Sequence, residues 1–349
     1  MALRASDLAE SRARRLPRAP QAEIADRALR LRAGVISLVL AAAIFAAKFV
    51  AYQITGSTAI LSDALESIVN IVAAAFTLAS LTIASRPADP SHPYGHGKVE
   101  FLSSGFEGGL IAFAALVIVY QALQALWSGH EVAAIEQGLA LVIVAGAANA
   151  LLGYFLLRTG RRTNSPAIEA DGLHVLSDFW TSLGVVVGLV LVRVSGWQPL
   201  DPLVAIAVGG NLAVVGARLL RGAVGGLLDE SDPALLDKLT SVIHTVRTPG
   251  IIAIHRLRAI RSGGVVHVDA HVVLPRFWSV VQAHDFSDAF ELDVVRGISQ
   301  DAECIFHLDP CRAVYCSNCR VAPCPVRAHP FVEERDWSLA TLTGEAPEE

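Results

Sequence analysis

Two stretches of the chain carry ligand-type side chains at helical spacing. Asp63, Glu66 and Asn70 follow one another at intervals of three and four residues, and Asp171, His174 and Asp178 repeat the pattern. On an α-helix these intervals stack side chains on one face, a turn apart. Two such faces brought together offer up to four nitrogen and oxygen donors, enough for tetrahedral zinc or a neighbouring divalent transition metal. A bound metal displaces protons from its ligands, and an unperturbed imidazole titrates near neutral pH, so the same groups could trade an ion for protons. Helix–helix hydrogen bonding would explain Asn70 alone. It does not explain Glu66, His174 and Asp178 together, because ionisable groups in a bilayer are costly and usually functional. A His-x-x-x-Asp pair serves as base in some acyl transferases, but that chemistry needs no matching acidic pair on a second helix. With no carrier- or phosphate-binding loop in the chain, the reading is of a non-enzyme.

Both stretches lie in apolar runs long enough to cross a membrane. The chain has 349 residues, of which 53% are hydrophobic and 17% charged. Segments of about 20 apolar residues span the hydrocarbon layer, and they occur near Ala33–Tyr52, Ala59–Ile83, Gly109–Trp127, Leu139–Leu157, Ile168–Val192 and Leu203–Leu220. The first follows an Arg-rich stretch and five more come after it, so it reads as a span and not a cleaved signal. Arg12, Arg14, Arg15, Arg18, Arg27, Arg30 and Arg32 precede the first span. Arg86 and Lys98 follow the second, Arg158, Arg161 and Arg162 the fourth, and Arg218 and Arg221 close the sixth. The alternate loops hold almost no basic residues, which puts both termini in the cytoplasm. A net charge of −5 gives no ground for nucleic-acid binding. Lys48, inside the first span, either neutralises a carboxylate or snorkels to the interface, and it reads as structural.

From about Asp229 the composition becomes that of a soluble domain. Ser231-Asp232-Pro233 marks a helix start, Ile251–Ile260 and Val265–Leu274 flank a Ser262-Gly263-Gly264 turn, Ser279–Ile298 reads as a helix and Ala302–His307 as a last strand. The order helix–strand–strand–helix–strand gives a small α+β, ferredoxin-like sandwich. Along Val265–Leu274, His267, Asp269 and His271 alternate with Val266, Val268 and Ala270, so the polar set shares one face. His267 and Asp269 read as solvated surface. All five cysteines fall in or after this domain, on the reducing side. Cys311-x4-Cys316-x2-Cys319-x4-Cys324, with His329 close behind, fits a soft-metal site, with a redox-sensitive thiol set as the competing reading. Cys304 reads as a buried small apolar residue. The expected organisation is a basic segment at 1–30, a six-helix membrane domain at 31–228, a cytoplasmic domain at 229–310 and a cysteine-rich segment with an acidic tail at 311–349.

From about Gly34 to Pro310 the chain resembles the cation diffusion facilitator family. Three features carry the resemblance: the paired ladders, the loop Pro87-Ala88-Asp89-Pro90-Ser91-His92-Pro93-Tyr94-Gly95-His96-Gly97-Lys98-Val99-Glu100, and the α+β domain. It implies a transport site of Glu66, Asn70, His174 and Asp178 and a loop site of Asp89, His92 and His96. It further implies a dimer-forming, metal-sensing domain with ligands His255, His271, His284, His307 and Asp309, and a charged contact between Lys98 and Asp229. The implied activity is export of a divalent metal, zinc first, by a homodimer in a bacterial inner membrane, in exchange for protons and with no organic cofactor. Iron, cobalt, nickel, cadmium and manganese are further candidates as cargo. A metal-gated channel or a metal-sensing receptor are the alternatives. One departure stands out. Zinc-transporting members usually carry Asp or His followed by Asp on the second span, where this chain has Glu66 followed by Asn70.

Overall fold

The computed structural model describes residues 20–55, 58–128, 139–298 and 301–347. The backbone divides into two compact units, residues 25–228 and, apart from the N-terminal stretch, the residues from Asp229 onward.

The first unit is built of α1 (Pro20–Thr55), α2 (Thr58–Ala84), α3 (Val99–Ser128), α4 (Leu139–Thr163), α5 (Pro166–Ser195) and α6 (Leu200–Leu227). All six are long and apolar enough to cross a membrane. They carry large apolar side chains on their outer surfaces, among them Val39, Phe113, Leu116, Val144, Leu151 and Val190. An exposed apolar surface of that extent is the mark of a bilayer-facing protein. Within the bundle α3 packs along α6 and α4 along α5. Glycines permit the close approach: a Cβ on Gly172 would lie 2.7 Å from the Leu157 nitrogen, and one on Gly216 2.7 Å from the Ala112 nitrogen.

Helix α3 starts at Val99, a full ten residues before the apolar run that suggested it at Gly109. Glu100, Ser103, Ser104 and Glu107 interrupt the apolar pattern there, yet all four are buried. Glu100, Ser103 and Glu107 take their partners from outside α3. Glu100 accepts from Arg30 Nη1 at 3.4 Å and from the Ser165 hydroxyl. Ser165 in turn caps α5, accepting from the Ile168 N–H, with Pro166 in the first turn. One carboxylate thereby ties α1, α3 and the start of α5 together.

The second unit runs α7 (Pro233–Val246), β1 (Ala253–Ser262), β2 (Val265–Leu274), α8 (Val280–Ile298) and β3 (Asp301–Pro310). Asp232 caps α7 by accepting from the Ala234 and Leu235 N–H groups. The sheet order is β1-β2-β3, with β1 antiparallel and β3 parallel to β2, so α8 supplies the crossover that a parallel pair requires. Leu235, Leu239 and Ile243 of α7 and Phe290, Val294 and Ile298 of α8 cover one sheet face, meeting Leu257, Val266, Val268, Ala270 and Val272. The chain is therefore a six-helix membrane protein with an α+β domain at its C-terminal end, as its apolar runs and strand pattern imply. Strand β3 extends to Pro310, past the expected end at His307, because it stays in register with β2 through Leu274. A bulge in β1 between His255 and Arg258 places Arg256 at φ +52°, its N–H held by the Gly344 carbonyl at 2.9 Å. Beyond β3 come a 3-10 turn (Ala313–Asn318), a largely irregular stretch and α9 (Leu339–Thr343).

Removing the Glu100 carboxylate leaves a mostly buried Arg30 guanidinium and the Ser165 hydroxyl without their acceptor. Glu100→Ala should cost about 3 kcal/mol and lower the thermal midpoint of the detergent-solubilised protein. An unchanged midpoint would mean that this tie contributes nothing.

Candidate metal centres

Inside the helix bundle a cavity of about 20 Å³ is lined by Ser37, Lys48, Asn70, Asn149, Asp171, His174 and Asp178, among others. Asn70 on α2 bridges to both candidate ligands on α5. Its Nδ2 donates to Asp178 Oδ2 at 2.6 Å, and its Oδ1 lies 3.2 Å from His174 Nε2. The His174–Asp178 pair read from the sequence thus meets Asn70 of the facing helix. Asp171 is buried one turn before His174. Lys48 is buried as well and lines the same cavity, so it does not reach for the interface. The side chains of Asp63 and Glu66 lie outside the described residues, although both positions fall within α2.

One participant escaped the sequence reading. Glu107 on α3 is fully buried, with Oε2 3.6 Å from His174 Nδ1. Its Oε1 accepts from Thr77 Oγ1 at 3.2 Å. His174 therefore lies between the Asn70 amide and the Glu107 carboxylate. The available signal was the spacing of Glu100 and Glu107, seven residues apart and so on one helix face.

Between α2 and α3 a second group forms from local sequence. Asp89, His92 and His96 present ligand atoms within 4.8 Å of one another. Asp89 Oδ1 accepts from the Ser91 and His92 N–H groups at 2.8 Å each, and its carboxylate lies 3.2 Å from His92 Nδ1 and 3.4 Å from His96 Nε2. The His92 N–H, above all, holds the Asp89 pKa below the usual carboxylate value. Gly95 makes the return possible at φ +78°.

The third group comes from strand register. His255 pairs with His271 across β1 and β2, and His271 with His307 across β2 and β3, giving a row of imidazoles on the sheet face away from α7 and α8. Asp309 closes the row, lying 3.4 Å from His255 Nε2, 3.0 Å from His271 Nδ1 and 3.4 Å from His307 Nε2. His255, His271 and Asp309 meet the same 4.8 Å criterion as the loop group. Burial, above all, lowers the His255 pKa below the ordinary imidazole value, which favours the neutral, ligating form. His284 is not brought to the row within one chain; it is exposed on α8, 3.6 Å from Asp288. His267 and Asp269 pair instead with Glu303 and Arg258.

A family model described as the cation efflux transmembrane domain matches residues 34–228, and one for the cation efflux protein cytoplasmic domain matches residues 232–311. The chain belongs to the cation diffusion facilitator family. It is 40% identical over 277 residues to an uncharacterized transporter of Synechocystis, covering 79% of this chain and 89% of that protein. It is 31% identical over 286 residues to the cation-efflux pump FieF of Pectobacterium carotovorum, and 31% over 284 residues to that of Escherichia fergusonii. Each alignment covers 81% of this chain and 93% of the relative. The protein is a membrane-embedded cation efflux transporter.

Lys98, in the turn before α3, falls in the first unit, and Asp229, at φ +59°, opens the second. Cys316, Cys319 and Cys324 lie beyond the matched cytoplasmic domain. Together with Cys311 they line one cavity as free thiols, with no three of the four sulfurs all within 4.8 Å of one another. Cys304 sits apart in the core, its thiol pKa pushed up by burial to about 12.

Asp309→Ala removes the one carboxylate shared by three imidazoles. The full-length protein in detergent should then bind about one zinc ion fewer per chain, with affinity at this group reduced more than the roughly 10–100-fold typical of losing an outer-sphere partner. Equal metal content in the two proteins would show that the row does not hold an ion.

Proposed function

We propose that this transporter exports a divalent transition-metal ion from the cytoplasm in exchange for protons, as a homodimer with both termini cytoplasmic. Zinc heads the cargo ranking, ahead of iron, cobalt, nickel, cadmium and manganese, because an imidazole among oxygen donors favours the later transition series over magnesium or calcium. The observation that carries the proposal is the convergence of Asn70, His174 and Asp178 within hydrogen-bonding distance inside an apolar helix bundle. The relatives described as cation-efflux pumps support the direction of transport.

The geometry suggests how ion and proton compete. The Asn70 amide donates to Asp178 and faces His174 Nε2. An ion taking Nε2 and the Asp178 carboxylate must displace both contacts and any proton on Nε2. Glu107, its Oε2 3.6 Å from Nδ1, stands behind the ring, where outer carboxylates orient metal-bound histidines once the contact closes to hydrogen-bond length. Protonation of Nε2 from the far side would reverse the exchange. Glu66 is assigned as the fourth ligand from the family resemblance, and Lys98 with Asp229 as a charged contact between the membrane and cytoplasmic parts. Asp89, His92 and His96 form a secondary loop site. The cytoplasmic row would report metal to the dimer, and a ligand from His284 would have to be supplied by a second copy of the chain.

The test uses purified protein in proteoliposomes. An imposed pH gradient should drive zinc uptake with protons moving the opposite way in fixed proportion, and Asp178→Ala should abolish uptake while leaving expression and dimerisation intact. Zinc flux without proton counterflow would indicate a channel, and wild-type uptake by Asp178→Ala would sink the site assignment. Asn70→Asp adds a titratable carboxylate, so zinc binding should strengthen and depend more steeply on pH. If affinity, ion preference and pH profile all stay the same, Asn70 only packs.

A further inference from the structure

We propose that Cys311, Cys316, Cys319 and Cys324 form a thiolate site for one zinc-class ion, which staples the C-terminal segment to the sheet beside the His255–His271–Asp309 row. The proposal does not depend on what the membrane site carries.

The four cysteines come from a 3-10 turn and two loops and line one cavity of about 120 Å³. Two of the sulfurs already accept backbone hydrogen bonds, Cys311 Sγ from the Arg276 N–H at 3.5 Å and Cys316 Sγ from the Ala328 N–H at 3.4 Å. Such N–H···S contacts orient and stabilise metal-bound thiolates. A divalent ion with four thiolates is a dianionic centre, and Arg276, Arg312 and Arg327 line the same cavity. Arg327 also gathers the loop, donating to the Cys316, Cys319 and Val321 carbonyls at 3.2, 3.0 and 2.8 Å.

The segment's packing calls for such a staple. From Cys311 to Asp336 only Tyr315 and Cys319 are buried, and most of the backbone is irregular. A stretch that buries so little of its apolar content needs another source of folding energy, which a structural metal supplies. Those two residues pack on Ile252, Ala253 and Val273. Ala253 and Val273 each lie two residues along their strands from His255 and His271, on the same face, and Cys311 lies two residues past Asp309. An ion held here would fix the end of β3 that supplies Asp309.

In the binding step each thiol gives its proton to water as its sulfur takes a coordination position, so no oxidant is involved. Soft and borderline ions should bind and manganese should not. The full-length, reduced protein in detergent provides the test, with cadmium as the spectroscopic probe. Titration should produce a cadmium–thiolate charge-transfer band saturating at one equivalent, unchanged by Asp178→Ala and lost in Cys316→Ser/Cys319→Ser. Should that variant fold poorly, alkylation of the wild-type chain reads the same site: zinc should protect four of the five thiols, and a chelator should expose them. The proposal fails if no charge-transfer band forms, or if zinc leaves thiol reactivity unchanged. It also fails if the thiols pair as disulfides in air whether or not zinc is present.

Discussion

A polar side chain placed in hydrocarbon must find its partner within the protein, and the membrane unit is organised around that requirement. His174 has an amide on one side and a carboxylate on the other, each supplied by a different helix. Asn70 continues the chain to Asp178, and Thr77 continues it from Glu107 to Ser103. Helices α2, α3 and α5 are thus joined through their polar atoms at the depth where apolar packing alone would let them slide. Glu100 repeats the device nearer the start of α3.

The cytoplasmic unit meets the same need by register instead of depth. Three histidines align because β1, β2 and β3 pair in step at His255, His271 and His307. The β1 bulge lies just past His255, and the Gly344 carbonyl holds it from the C-terminal segment. A one-residue slip in either pairing would turn the ligands toward the helices. The site is therefore only as exact as the strand pairing, which the core under α7 and α8 enforces.

Much of this was legible in the residues. Apolar runs gave the six helices, the four-residue interval put His174 and Asp178 on one face toward Asn70, and alternation along Val265–Leu274 gave the polar face of β2. Each is a short-range pattern with a fixed period. Glu107 does not stand out in the sequence, because its own turn of α3 looks too polar to be membrane-embedded until Thr77 and His174 are seen beside it. The alignment of His255 with His307 depends on pairing between distant strands, which no single strand encodes. Lys48 reads from sequence either as a partner for a carboxylate or as a snorkelling residue, and the packed bundle shows it buried against the cavity.

The contact at Gly172 has a mechanical consequence. Gly153, Gly160 and Gly172 bring the backbones of α4 and α5 so close that an added methyl at any of them would collide with the facing helix. Two helices meshed in this way move as one stiff body, and His174 and Asp178 ride on it. Helix α2 meets α5 far more lightly, and among the described side chains Asn70 is its hydrogen-bonded link to that body at the site. Any rearrangement that opens the cavity first to one side and then to the other has its natural slip plane along the α2–α5 seam. An ion seated there would act as a latch across that plane, taking over the link that the Asn70 amide makes to His174 and Asp178.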